Sequence, residues 1–129
     1  MGTEPNVGER FVTALAAKDR DALTELLRPD VDFRAMTPSR FWEADDAATV
    51  VDGTMLGHWF EPQDVITDVI ETESGRVGPR ASLRYRFAVT SPDGPHVVEQ
   101  QAYYETDGER ISWLRIMCAG DLPADEGGA

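Results

Sequence analysis

Apolar residues recur at intervals of three and four along the first part of the chain, and at intervals of two along most of the remainder. Val7, Phe11, Ala14 and Leu15 are separated by helical steps with charged residues between them, which predicts an amphipathic helix over about residues 6–17. Asp19 stands at the N-cap of a second, short helix with Ala22, Leu23, Leu26 and Leu27 as its apolar stripe, and Pro29 is expected to end it. The two helices form a hairpin. Residues 31–36 then alternate, with Val31, Phe33 and Ala35 on one face of a half-buried strand. Thr37-Pro38-Ser39 breaks that strand, and Phe41 and Trp42 follow in an apolar-rich loop rather than a regular element. Asp45 or Asp46 caps a third helix in which Ala47, Val51, Met55 and Trp59 fall four apart, while Gly53 and Gly57 each cost it about 1 kcal/mol relative to alanine.

Beyond Pro62 the texture is that of strands, over residues 65–72, 81–90, 97–106 and 111–119. Ser91-Pro92-Asp93-Gly94-Pro95 and Asp107-Gly108 supply the turn residues of two hairpins, so the last three strands form a meander. Helices first and sheet second reads as an α+β fold. The expectation is a curved antiparallel sheet, of about four main strands plus a short first strand, packed on three N-terminal helices and enclosing a pocket. One domain covers residues 1–119, and 120–129, acidic and Gly-rich, form a flexible tail.

Strand parity sorts the meander into two faces. Leu83, Tyr85, Phe87 and Val89, then Val98, Gln100, Ala102 and Tyr104, then Leu114, Ile116 and Cys118 share the inward face. The outward face carries Arg84, Arg86, Tyr103, Trp113, Arg115 and Met117, residue types enriched at protein interfaces. That set predicts a homodimer formed through the outer sheet face.

Composition narrows the partners. The 24 acidic and 12 basic residues leave a net charge of −12, which repels nucleic acid and anionic membranes at long range. Cys118 is the only cysteine and there are two histidines, too few for a common zinc site, so neither metal nor cofactor is expected. Residues 1–9 hold no apolar signal core and no stretch approaches the roughly 18 apolar residues of a membrane span, so the expected location is cytoplasmic.

Phe11 ahead of Ala14-Leu15, then Lys18-Asp19-Arg20-Asp21-Ala22-Leu23, Leu26-Leu27 and Pro29-Asp30-Val31-Asp32-Phe33, resemble the opening of the nuclear transport factor 2-like superfamily, and residues 108–115 are similar to its closing hairpin. Within it the chain looks most like the SnoaL-like group, which includes polyketide cyclases and stands beside ketosteroid isomerases and scytalone dehydratase. The resemblance implies a cone-shaped sheet with a deep pocket, frequently dimeric. It also implies where ketosteroid isomerase chemistry would sit. The oxyanion-donating tyrosine of the first helix falls at Phe11, which cannot donate. The general-base aspartate falls near Ala35, where no carboxylate stands. The protonated aspartic acid falls near Gln100, whose amide can still donate.

The inward polar groups Tyr85, Gln100 and Tyr104 are therefore the candidate catalytic residues, together with His58 near the end of the third helix. Each of the three either binds a ligand or bonds its buried neighbours. His96 follows a hairpin turn and reads as a surface group, and Arg40 and Glu43 as charged loop residues. Phe11, Leu15, Phe33, Ala35 and Trp42 are candidates to line the pocket. So are Trp59, Phe87, Ile116 and Cys118. Two uses of such a pocket stand open: a cofactor-free cyclase, dehydratase or isomerase acting on a small hydrophobic, polyketide-like metabolite, or a binding module without turnover. A dimeric protein-interaction domain is the third.

Overall fold

Helix α1 (Val7–Ala16) starts on a capping box in which the Asn6 side chain accepts from the Glu9 amide at 2.7 Å and the Glu9 carboxylate accepts from the Asn6 amide at 3.0 Å. Helix α2 (Arg20–Leu26) starts on Asp19, whose carboxylate accepts from the Ala22 amide. It ends earlier than the sequence suggests, and Pro29 lies inside the following strand. The proline ring disfavours helical geometry at Arg28, and the chain is already extended one residue earlier, at Leu27. The computed structural model describes residues 6–38 and 40–123, and of 120–123 the backbone alone.

Six strands follow the order β2-β1-β6-β5-β4-β3 across one curved sheet. They are β1 (Leu27–Thr37), β2 (Arg40–Ala44), β3 (Val65–Val77), β4 (Arg80–Ser91), β5 (Gly94–Asp107) and β6 (Arg110–Pro123). The α+β architecture is as expected, with four differences. The Phe41-Trp42 segment is not a loop: it pairs with β1 as strand β2, Trp42 opposite Ala35. β1 is 11 residues long rather than short, and it runs parallel to β6, so the sheet is not wholly antiparallel. β3, at the sheet edge, extends to Val77, and its exposed length carries Asp68, Glu71 and Glu73, charges that discourage edge pairing. β6 continues to Pro123, past the expected end of the domain; residues 124–129 of the expected tail lie outside the described residues.

The inner face matches the parity assignment: Leu83, Tyr85, Phe87, Gln100, Ala102, Leu114 and Ile116 are all buried, against Phe11 and Leu15 of α1 and Leu23 of α2. Extra residues at Ser112 and Ala119 of β6, and shifts of register along β3, add twist that curls the sheet over the helices. The outer face is laced with cross-strand ion pairs, Arg84 to Glu71 and Glu73, Arg86 to Glu99, and Arg115 to Asp32. Trp113 lies between the guanidinium groups of Arg80 and Arg115. Met117 is 57% exposed and Phe41 68%. No helix among the described residues is long and apolar enough to cross a membrane.

The third helix, α3 (Thr49–Trp59), is wound as a π-helix rather than an α-helix. Its last bond runs from the Phe60 amide to the Met55 carbonyl, five residues back. A spacing of four serves either winding nearly as well, so the apolar pattern does not tell them apart. Glycine does: a Cβ built on Gly57 would lie 2.3 Å from the Asp52 carbonyl oxygen, whereas one on Gly53 meets only Thr49 Cγ2 at 3.6 Å. The wide helix requires Gly57 and tolerates replacement of Gly53. Urea unfolding should find Gly57→Ala destabilised by about 1–3 kcal/mol, because backbone must move to admit the methyl group. Gly53→Ala should be neutral or up to about 1 kcal/mol more stable. Equal stabilisation by both would mean that α3 is an ordinary α-helix.

Candidate functional site

Strand β1, the end of α3, the β4–β5 turn and the end of β6 all arrive at one end of the cone, where they surround a cavity of about 600 Å³. Its size suits a small-molecule site. Trp42, His58, Trp59, Gln100 and Cys118, five of the residues expected from the sequence, line it. A larger hollow of about 960 Å³ lies between α2 and α3, where Arg20 is paired to Asp52 at 2.5 and 2.9 Å, and none of the expected residues lines it.

The floor of the mouth cavity, Gln100 and Cys118, belongs to a row across three strands. Tyr85, Gln100 and Cys118 are direct neighbours on β4, β5 and β6. The Tyr85 hydroxyl donates to Gln100 Oε1 at 2.6 Å, deep in the core. Gln100 is 1% exposed, yet it lines the cavity, and its amide Nε2 has no partner among the described residues. Burial pushes the Tyr85 phenol far up, with the neighbouring Cys118 adding to the effect, so Tyr85 stays a neutral donor. The hydrogen bond therefore fixes the amide plane and leaves its two N–H groups for the cavity.

Trp42 and Trp59 form the wall, edge to face with centroids 6.2 Å apart. Trp42 Nε1 donates to Thr37 Oγ1 at 3.0 Å, while Trp59 Nε1 is buried without a partner among the described residues. His58 packs beside Trp42, its ring 5.1 Å away and largely exposed. Its Nδ1 lies 2.7 Å from the Gly53 carbonyl oxygen. A carbonyl can only accept, so Nδ1 carries the proton and the Nε2 lone pair of the neutral ring is free.

The other expected residues are elsewhere. Phe11, Leu15, Phe33, Ala35, Phe87 and Ile116 are packed in the core and do not line the cavity, and Tyr85 reaches it only through Gln100. Tyr104 lies at the opposite end of the cone against Gly8 of α1, and burial raises its phenol as well. It shares no cavity with His58 or Gln100. The sequence reading missed Glu61, Asp64 and Asp93, three carboxylates of the mouth, and placed His96 on the surface although it is half-buried at the rim. All four stand in or beside turns, and the signal available was topological: the 91–94 turn and the end of the third helix belong at the same end of a meander. No group of three or more His, Cys, Asp or Glu side chains among the described residues is placed to hold a metal ion.

Because both phenols are raised in the fold above their ordinary value of 10.0, the unfolded chain ionises first as pH rises. Their stabilising effect is complete below about pH 10 and is lost above it. Tyr85→Phe should cost about 1–3 kcal/mol at neutral pH, by leaving Gln100 Oε1 buried and unpaired, and should make the alkaline loss of stability shallower. Urea unfolding at neutral pH and on either side of about pH 10 measures both; an unchanged stability at neutral pH would mean that water, not Tyr85, satisfies Gln100.

No protein-family model matches the chain, and no curated protein sequence does. Solved structures do share its architecture. An epoxide hydrolase of M. tuberculosis, described as LEH-like, is 14% identical with a TM-score of 0.62 over 87% of this chain and 79% of its own. A protein of Catenulispora acidiphila with a ketosteroid isomerase-like fold, solved in complex with trimethylamine, is 15% identical with a TM-score of 0.63, covering 88% and 85%. An NTF2-like protein of Burkholderia thailandensis is 12% identical with a TM-score of 0.65, covering 87% of each chain. At such identities the likeness carries the architecture and not the chemistry, and with the helices, strand order and open-ended cone it establishes that this chain has the nuclear transport factor 2-like fold.

Proposed function

We propose that the chain binds a small hydrophobic metabolite bearing a carbonyl or hydroxyl oxygen in the mouth cavity, and acts on it by cofactor-free proton transfer of the kind a cyclase, dehydratase or isomerase performs. The observation that carries this reading is the Gln100 amide: a donor held rigid by Tyr85, with no partner of its own among the described residues, at the floor of a cavity walled by two tryptophans. A ligand oxygen placed there receives a hydrogen bond that strengthens as negative charge develops on it. His58 supplies the complementary role. Its Nε2 lone pair is free, and a proton taken from the carbon next to that oxygen passes to it.

This differs from the ketosteroid isomerases, because a neutral amide replaces an acidic donor and an exposed imidazole replaces a carboxylate base. Weaker stabilisation of the anion is the physical consequence, so the chemistry suits substrates with an already acidified carbon. A second reading, binding without turnover, is favoured by the exposure of His58 to bulk water.

Exchange of the carbon-bound protons of beta-tetralone in deuterium oxide, followed by NMR, separates the two readings. The protein should accelerate exchange beyond an equal concentration of imidazole, and His58→Ala should lower that acceleration by about a hundred-fold or more. Gln100→Leu should weaken retention of the ketone by roughly three- to ten-fold. Binding without faster exchange would leave the binding module; no binding of beta-tetralone or of any cyclic ketone would remove both.

A further inference from the structure

The lining of the mouth cavity is unbalanced in charge. Glu61, Asp64 and Asp93 line it together with His58 and His96, and no lysine or arginine among the described residues does. Asp64 uses one carboxylate oxygen to accept from the Glu61 amide at 3.0 Å, and Glu61 accepts from the Gln63 amide at 3.0 Å. These are neutral donors, and neither carboxylate has an ion-pair partner among the described residues. Two cations stand behind the walls. The Lys18 ammonium donates to the backbone carbonyls of Glu61 and Asp64, 2.6 Å each, and the Arg40 guanidinium covers a face of Trp42 at 3.7 Å. They reduce the excess without reversing it, and the net charge of −12 on the whole chain acts in the same direction.

The floor asks for the opposite partner. Gln100, almost wholly buried, presents an unpaired N–H donor, which calls for an oxygen acceptor. Between floor and rim stand Trp42 and Trp59, apolar walls for a carbon skeleton. Resting on the assignment of the mouth cavity as the ligand site, we infer that its ligand is an amino ketone or amino alcohol: an oxygen seated on Gln100, an apolar body against the tryptophans, and a protonated amine at the rim beside Asp64 and Asp93. The same lining disfavours carboxylates, phosphates and other anionic metabolites, whose charge would meet the three acids with no lysine or arginine in contact.

Cyclohexanones substituted opposite the carbonyl with a dimethylammonium, an isopropyl group or a carboxylate have nearly one shape and three charges. Titration calorimetry near neutral pH should find the cation bound about ten-fold more tightly than the isopropyl compound, and the anion more weakly than either. In the double variant Asp64→Asn with Asp93→Asn, the new amide oxygen at position 64 still accepts from the Glu61 amide. There the preference should fall to within about two-fold while the isopropyl compound binds as before. Asp21→Asn with Glu25→Gln on α2 makes the same change of net charge away from the cavity and should keep the preference. Binding of the isopropyl compound as tightly as the cation overturns this inference and leaves the cavity assignment standing. Loss of the preference in the α2 variant to the same degree also overturns it, by tracing the effect to overall charge. Failure of all three ketones to bind overturns the cavity assignment, and the inference with it.

Discussion

The hydrogen bond from Tyr85 to Gln100 divides the interior of this protein into two regions with different physics. Below it the curved sheet and the helices are in close contact: Phe11 meets Tyr85 edge on at 6.2 Å, and both belong to one continuous buried cluster with Leu15 of α1. Above it the ends of β4, β5 and β6 stay paired and, with Trp42 and Trp59, border a cavity. A glutamine at this boundary satisfies both sides, since its oxygen accepts from the core and its nitrogen faces the opening. An apolar residue of the same size would close the boundary and leave the Tyr85 hydroxyl buried without a partner, at a cost of about 1–3 kcal/mol.

Much of the fold could be read from residue order because its inner face obeys strict alternation. Tyr85 and Gln100 are paired by the short turn at Pro92-Asp93, so their register follows from the position of that turn. Cys118 was harder to place. It lies opposite Gln100 only because Ser112 is an extra residue in β6, and without that bulge the neighbour on the strand would be Met117. The apolar pattern of Leu114, Ile116 and Cys118 reported the right face, while the bulge responsible left no mark of its own in the sequence.

Where the alternation was short or absent, sequence reasoning failed for identifiable reasons. Strand β2 is five residues long with only Trp42 and Ala44 half-buried, and it exists through its pairing with β1, a tertiary partner that local pattern does not record. The parallel pairing of β1 with β6 joins segments distant in the chain. The π-winding of α3 was disguised by a four-residue spacing, although Gly57 marks where the Asp52 carbonyl approaches too closely for a side chain. Candidate site residues divided in the same way. Those on alternating strands were correctly turned inward, but facing inward was not enough to reach the cavity, because most of the cone is filled. The carboxylates of the rim stand in turns, where side-chain direction follows from tertiary structure alone.

An open mouth over a packed base leaves Cys118, the chain's only cysteine, in the cavity lining at the level of Gln100. Its rate of alkylation by N-ethylmaleimide in the native protein is therefore the most direct test. An open mouth predicts reaction without unfolding: a rate that stays constant as urea is raised through the native baseline, and that falls when a cyclic ketone fills the cavity. Alkylation that occurs only in step with global unfolding would show the cavity to be closed, and would contradict it.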